Sequence, residues 1–446
     1  MSAWAPAAGL VPALLLGLVA RLGPILIADF PLGDGALFAA MAADIRAAGF
    51  GLPEVASYNA ADIPFVYPPL GLYALAAVPG DPIGTERWLP LAWSLLAIVG
   101  AWLLARELFD DLFAGVAAVA FAAMPLAWAI EGGGVTRALG LALLLLALWR
   151  VAVLAQEPGV RNALLAGALA GAALLSHPAA GPTGVASAAL ILAWRPSRGG
   201  LAWGLVAAGA AALVVAPWLW LVASRHGLEL LVSGYASHAE ESQLVRIFVY
   251  GPSWLAPLDL LLAPALIGAV ACVRDRRWLL PIWLAVLLVV PGGGGRYATV
   301  VWAMLAAAGV VAVLPALRSA GILRAATAAG FVALLLASLA AGYQRFHAIP
   351  ADTRRAMADV RDRAPADAQF AVVTDAEGED PIVEWFPYLA DRHSLGTYMG
   401  AEWAGADAWR AALNRYAAIR DGVPPADADH LFLVSEGRAT WSPTGP

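Results

Sequence analysis

The chain has 446 residues, 61% of them hydrophobic and only 13% charged, with a formal net charge of −6. Soluble domains carry about 25% charged residues, so the composition excludes a soluble globular protein and defines an integral membrane protein. All 27 basic residues are arginines with no basic stripe among them, which argues against nucleic acid binding, and the single cysteine, Cys272, rules out an internal disulfide or a multi-thiolate metal site.

The first apolar run, residues 6–27, has no basic leader and contains Arg21. Its length suits a retained transmembrane helix better than a signal peptide. Two carboxylates follow at once, Asp29 and Asp34, in ADFPLGDGALF (28–38). The next stretch, ALFAAMAADIRAAG, sets Leu37, Met41 and Ile45 on one helical face and ends at Gly49. YPPLGLYALAAVPG (67–80) is apolar but too short for a span, and reads as an interfacial or re-entrant piece. Further apolar runs lie near 88–105, 112–130, 137–152, 162–176, 180–194, 201–222, 247–272, 278–291, 297–316 and 322–342. Gly167 and Gly171, at small-xxx-small spacing, predict close packing of their helix on another.

Arginine placement sets the expected topology. Arg106, the pairs Arg150/Arg161 and Arg195/Arg198, the cluster Arg274/Arg276/Arg277 and the pair Arg318/Arg324 fall in alternate short loops. The positive-inside rule then puts the N-terminus in the cytoplasm and the C-terminus outside, with about eleven spans in a plasma membrane. The loop 28–87 is external in this scheme. After Gly342 charges become frequent, and helix-like pieces (ADTRRAMADVRDRA, GADAWRAALNRYAAIRDG) alternate with strand-like ones (QFAVVTD, HLFLVSE). We therefore expect a transmembrane domain over 1–342 and a small external α/β domain over 343–446.

Chemistry-bearing residues gather at the external ends of the spans. Asp34, at the start of the 36–49 helix, suits either an N-cap or a general base acting on an acceptor hydroxyl at the membrane surface. Asp29 is the candidate second acid. Glu131 and Arg137 share the loop AIEGGGVTRALG, and Arg296 and Tyr297 share PGGGGRYATVVW. Either arginine suits a buried phosphate, or an interfacial anchoring role. PGGGGR lacks the Gly-Lys-Ser/Thr ending of a nucleotide loop. Tyr67, Glu131, His177 and Arg392 are candidate substrate contacts, with His177 equally explained as a packing residue. His226 and His238 with Glu240 or Glu241 match no zinc spacing. Trp385, Phe386, Tyr388, Tyr398 and Trp403 suit sugar stacking, but a domain this small needs most of its aromatics for its own core or for docking.

An acid just after the first span, an amphipathic helix, YPPLGLYAL and then TERWLPLAWSLL resemble the C-type (GT-C fold) membrane glycosyltransferases, among them the protein mannosyltransferases and lipid A aminoarabinose transferases. The resemblance follows the order of elements over residues 7–195. It implies an all-α polytopic GT-C fold, a polyprenyl-phosphate-linked sugar donor and a lipid, glycan or protein acceptor. It implies an inverting hexosyl- or pentosyltransferase with Asp34 as base and the Arg296–Tyr297 pair, with Arg137, at the donor phosphate. Many members have Asp-Glu where this chain has Asp34-Gly35, which removes a second acid. No cofactor or metal is indicated, though a divalent metal stays open. The alternative is a transporter or a lipid-linked glycan flippase or polymerase. Transporters place ionisable groups near the membrane midplane, whereas here they cluster at one face, which favours the enzyme.

Overall fold

The computed structural model describes residues 9–124, 126–237, 261–290, 294–317, 348–375, 380–423, 425–435 and 437–444, with scattered positions between 321 and 340. Among the described residues, five helical stretches are long and apolar enough to cross a membrane: Leu10–Ile27, Pro82–Leu108, Gly134–Gln156, Gly199–His226 and Gly295–Leu314. Five shorter apolar helices pack among them: Asp111–Ala123, Val160–Ser176, Ala180–Trp194, Leu262–Arg274 and Leu279–Val289. The expected run at 322–342 and the first half of that at 247–272 fall mostly outside the described residues.

In chain order the helices are α1 (Leu10–Ile27), α2 (Ala36–Ala47), α3 (Leu70–Ala77), α4 (Pro82–Glu86), α5 (Leu89–Leu108), α6 (Asp111–Ala123), α7 (Gly134–Gln156), α8 (Val160–Ser176), α9 (Ala180–Trp194), α10 (Arg198–His226) and α11 (Glu229–Ser237). They continue as α12 (Leu262–Arg274), α13 (Leu279–Val289), α14 (Gly294–Tyr297) and α15 (Thr299–Leu317). α3 has eight residues, about 12 Å of helix, and is too short to cross a bilayer. On α2, Leu37, Met41 and Ile45 are all buried, and Gly49 takes the left-handed conformation that ends the helix.

Small residues set the helix spacing. A Cβ on Gly167 of α8 would stand 2.3 Å from the Ala207 carbonyl of α10, and one on Gly171 would stand 2.8 Å from Val214 Cβ. Gly268 of α12 and Gly309 of α15 approach in the same way, with a Cβ on Gly268 falling 1.8 Å from the Leu305 carbonyl. In lipid, where apolar surface supplies no drive to associate, such close packing is what holds helices together. Arg21 is sealed between α1, α5 and α6: Nε donates to Ser94 Oγ at 2.6 Å and Nη1 to the Ala122 carbonyl at 2.7 Å.

The C-terminal residues build a four-stranded sheet in the order β4-β3-β5-β6, with β3 Gln369–Thr374, β4 His393–Ser394, β5 His430–Ser435 and β6 Arg438–Pro443. A two-stranded ribbon, β1 (Val55–Ala56) with β2 (Ile63–Pro64), precedes it in the 28–66 segment. β3 runs parallel to β4 and β5, and β6 returns antiparallel along β5. Strand alternation sends Phe370 and Val372 to one face, where they meet Met357 and Val360 of α16 (Ala351–Arg363) and Phe386 of α17 (Pro381–Ala390). Ala371 points to the other face, against Ile419 of α18 (Ala406–Arg420).

This α/β unit grips the segment after α1. Leu32 pairs with Ala348, Arg354 pairs with Asp29 at 2.5 Å, and Trp385 Nε1 donates to the Gly33 carbonyl at 2.9 Å. Asn59 and Ser394 exchange two hydrogen bonds, of 3.0 and 2.7 Å. Of the aromatics weighed for sugar stacking, Phe386 lies in the sheet core. Trp385 and Trp403 instead dock on the segment's aromatics, Trp385 on Phe30 and Trp403 on Tyr67.

Candidate active site

The site forms where the Gly33-Asp34-Gly35 turn meets the Glu131–Gly134 turn that leads into α7. Gly132 N–H donates to the Leu32 carbonyl at 2.9 Å and Gly133 N–H to the Asp34 carbonyl at 3.2 Å. The glycines are there because the two chains touch. A Cβ on Gly132 would lie 2.3 Å from the Asp34 carbonyl oxygen, and one on Gly133 would lie 2.7 Å from Arg137 Nη2 and 2.9 Å from Asp34 Oδ1.

Arg137, on the first turn of α7, reaches Asp34 with both arms of its fork: Nη1 to Oδ2 and Nη2 to Oδ1, each at 2.5 Å. Its Nη2 also meets Glu131 Oε2 at 3.3 Å, and Nε donates to the Trp128 carbonyl at 3.1 Å. Asp34 Oδ1 accepts a further bond from Gly133 N–H at 3.2 Å. Burial works against a charge on Asp34, yet Arg137 and, more weakly, Arg296 and Gly133 outweigh it and hold the carboxyl below its ordinary value. Asp34 is therefore a fixed carboxylate, with side-chain exposure of 21% against 11% for Arg137, so it still meets solvent. A carboxylate offers about four lone-pair sites, of which these contacts take two on Oδ1 and one on Oδ2. One site on Oδ2 is left.

The local reading of Asp34 as the N-cap of α2 needs correction. The α2 cap is Gly35, with no side-chain bond from Asp34. Glu384 of α17 takes that role: its Oε1 accepts Gly35 N–H at 3.1 Å, and the Leu37 backbone also bonds to it.

Arg296, on α14, is exposed, and its charge reaches Asp34. Its backbone carbonyl accepts from Thr299 Oγ1, while its guanidinium has no hydrogen-bond partner among the described residues. Tyr297, next to it, is buried and its hydroxyl pairs with His177 Nδ1 at 3.1 Å. That pair packs against Gly140, one turn along α7 from Arg137. Tyr67 is buried under the site, where its hydroxyl meets Thr136 Oγ1 at 3.0 Å, and burial pushes its phenol up to about 12.

Two sequence-based candidates sit elsewhere. Asp29 is tied to Arg354, which also lies over the Phe30 ring, so it fastens the loop to the α/β unit. Arg392 closes the C-terminal end of α16, donating to the Arg361 and Ala364 carbonyls at 2.8 and 2.6 Å. The acids that do lie near Asp34 are Glu131, which shares Arg137 with it, and Glu86 and Glu384, which the sequence reading passed over. Glu384 carried one signal, an acid set between Val383 and Trp385 on an otherwise apolar helix. Among the described residues no group of three His, Cys, Asp or Glu side chains is placed to hold a metal, and Arg137 occupies both Asp34 oxygens. His238, Glu240 and Glu241 lie outside the described residues.

The architecture is that of the GT-C membrane glycosyltransferases. The sequence model of the family described as dolichyl-phosphate-mannose-protein mannosyltransferase matches residues 67–221. The oligosaccharyltransferase of Archaeoglobus fulgidus, in a crystal structure with Zn and sulfate, superposes with a TM-score of 0.59 at 15% identity, over 96% of this chain and 68% of that one. The same archaeal enzyme with an inhibitory peptide and a dolichol-phosphate gives 0.55 at 14% identity, over 96% and 69%. ArnT from Cupriavidus metallidurans bound to undecaprenyl phosphate gives 0.57 at 14% identity, over 98% of both chains. No curated protein matches the sequence itself.

Proposed function

We propose that the protein is a membrane glycosyltransferase that moves a sugar from a polyprenyl-phosphate donor to a lipid, glycan or protein acceptor on the external face. The observation that carries this is a pair of unlike partners close enough for their charges to interact. One is an ionised, oriented carboxylate, Asp34, and the other is Arg296, a cation whose guanidinium has no hydrogen bond among the described residues. The GT-C fold and the partial family match add support, and the neighbours' lipid phosphates point to the donor class.

On this reading the acceptor hydroxyl loses its proton to the remaining lone pair of Asp34 Oδ2 as its oxygen bonds to the sugar's anomeric carbon. The bond from that carbon to the phosphate oxygen breaks on the opposite side, with inversion. Polyprenyl phosphate leaves with the electron pair, and its growing charge is met by Arg296. A carboxylate held low is a weak base. The transition state of glycosyl transfer is oxocarbenium-like, however, and needs a late proton acceptor more than a strong nucleophile. Arg137 keeps Asp34 ionised and aimed, while the His177–Tyr297 and Tyr67–Thr136 pairs form the walls. The transporter reading loses ground because Arg21, a charge within α1, is bonded to Ser94 and a carbonyl instead of lining a path.

The test is binding of undecaprenyl phosphate to the purified protein and release of polyprenyl phosphate from a panel of polyprenyl-phosphate sugars. Arg296→Ala should weaken lipid binding about tenfold or more and lower turnover. Arg296→Lys should recover part, since an ammonium cannot reproduce the guanidinium fork. Unchanged binding and turnover in Arg296→Ala would overturn the phosphate assignment. No release from any donor by the wild-type protein would overturn the function.

A further inference from the structure

Two carboxyls converge beside Asp34, and the reaction above uses neither. Glu86 is fully buried with no hydrogen-bond partner on either oxygen, and a Cβ on Gly35 would stand 2.6 Å from its Oε2. Glu384 belongs to α17 of the C-terminal unit, about 350 positions along the chain, and accepts the Gly35 N–H. The next residue, Trp385, is fully buried and donates to the Gly33 carbonyl at 2.9 Å. Successive residues of one helix thus hold the backbone on both sides of Asp34.

That grip matters because the turn is soft by itself. Gly33 has φ +57° and Gly35 φ +153°, conformations that glycine reaches at little cost and leaves as readily. The two glycines let the turn approach Gly132, but they leave the direction of Asp34 undetermined by its own backbone. A bidentate pair with Arg137 demands a defined direction.

We propose that Glu384 is a positioning residue for Asp34: through Gly35 N–H, and with Trp385 through the Gly33 carbonyl, α17 fixes the turn so that the carboxylate meets the Arg137 fork. The C-terminal α/β unit is therefore part of the active site without touching substrate. Burial, and then the charge of Asp34, push the Glu384 carboxyl well up, toward its neutral form. A neutral carboxyl still accepts from Gly35, so glutamine is its faithful replacement. This inference rests on Asp34 being the reacting carboxylate.

The test uses the full chain in lipid nanodiscs, with two readouts: amide exchange over residues 33–38, and release of polyprenyl phosphate with kcat and donor KM separated. Glu384→Gln should keep both the amide protection and kcat within about threefold of wild type. Glu384→Ala should lose protection at Gly35 and Leu37 and lower kcat about 10- to 100-fold, with donor KM within about threefold because Arg296 is untouched. Trp385→Phe, which keeps the ring and loses the N–H, should show a smaller loss of the same kind. The proposal is overturned if Glu384→Ala keeps wild-type protection and kcat. It is equally overturned if Glu384→Gln behaves as Glu384→Ala, or if the loss falls on donor KM alone. A wild-type protein with no turnover would sink the glycosyltransferase reading instead, and the exchange measurements would still decide whether Glu384 holds the turn.

Discussion

Replacing Arg137 with alanine removes the fork that holds Asp34. The pair is intermediate between two known regimes. Truncating one partner of a buried ion pair costs about 3–5 kcal/mol, and an exposed pair is worth about 1 kcal/mol or less. With Arg137 11% and Asp34 21% exposed, and both bonds at 2.5 Å, we expect about 2–3 kcal/mol. If that appears in the barrier, kcat falls about 30- to 150-fold. The pH profile gives a sharper sign. In the wild type the Asp34 carboxyl is held below its ordinary value, so activity is lost only as pH falls through that depressed value, and the acid side of the profile is flat at moderate pH. In Arg137→Ala, burial acts on Asp34 with only Arg296 and Gly133 opposing it. The acid limb should move up, and part of the lost rate should return at alkaline pH. The assay is polyprenyl phosphate release by proteoliposomes from about pH 4 to about pH 9. Turnover within about threefold of wild type, with an unmoved acid limb, would refute the argument.

The remaining predictions concern packing and sidedness. Gly132→Ala should destabilise the protein by about 2 kcal/mol or more, because its Cβ would fall 2.3 Å from the Asp34 carbonyl. Gly84→Ala in α4 meets nothing within 4 Å and should be neutral or stabilise by about 0.5–1 kcal/mol; thermal melts of the two variants decide it. Protease added to sealed cells with a permeable outer envelope should cleave residues of the α/β unit, as the arginine distribution implies; full protection of the unit would reverse the topology.

The elements were legible where periodicity and composition agree. The strands at 369–374 and 430–435 and the helices at 351–363 and 406–420 coincide with the strand-like and helix-like pieces seen in the sequence. Gly167 and Gly171 announced a close helix contact, because small residues at that spacing have few other uses in an apolar helix. The site was legible only in part. Asp34, Glu131, Arg137 and Arg296 stand out because acids and arginines are rare in so apolar a chain. What sequence could not supply was their pairing. Nothing local distinguishes Asp34 from an ordinary helix cap, since the group that displaces it, Glu384, comes from the far end of the chain. Asp29 stood as the candidate second acid for the same reason. Its partner, Arg354, becomes a neighbour only once the α/β unit docks. Arg392 looked like a ligand because a lone arginine among aromatics reads the same whether it caps carbonyls or binds a sugar.

On the proposed reading, the charges around Asp34 make its two neighbouring arginines unequal. Arg137 faces two acids, Asp34 and Glu131, so that group carries a formal charge of −1 and offers an anion nothing. Arg296 adds one positive charge, and among the described residues its guanidinium has no hydrogen bond to surrender. A phosphodiester donor would enter with one negative charge, so among these residues its attraction would come from Arg296. After transfer the departing phosphate monoester carries up to one charge more, beside a fixed carboxylate pair of the same sign. On the proposed reading Arg296 would hold the donor, while the acids around Arg137 would keep the product from being held as tightly. A second unpaired arginine would bind the lipid phosphate more strongly in both states, and would slow its release without favouring the transition state. On that reading the ion pair between Arg137 and Asp34 would do two things: keep the base ionised, and take one cation out of competition for the leaving group.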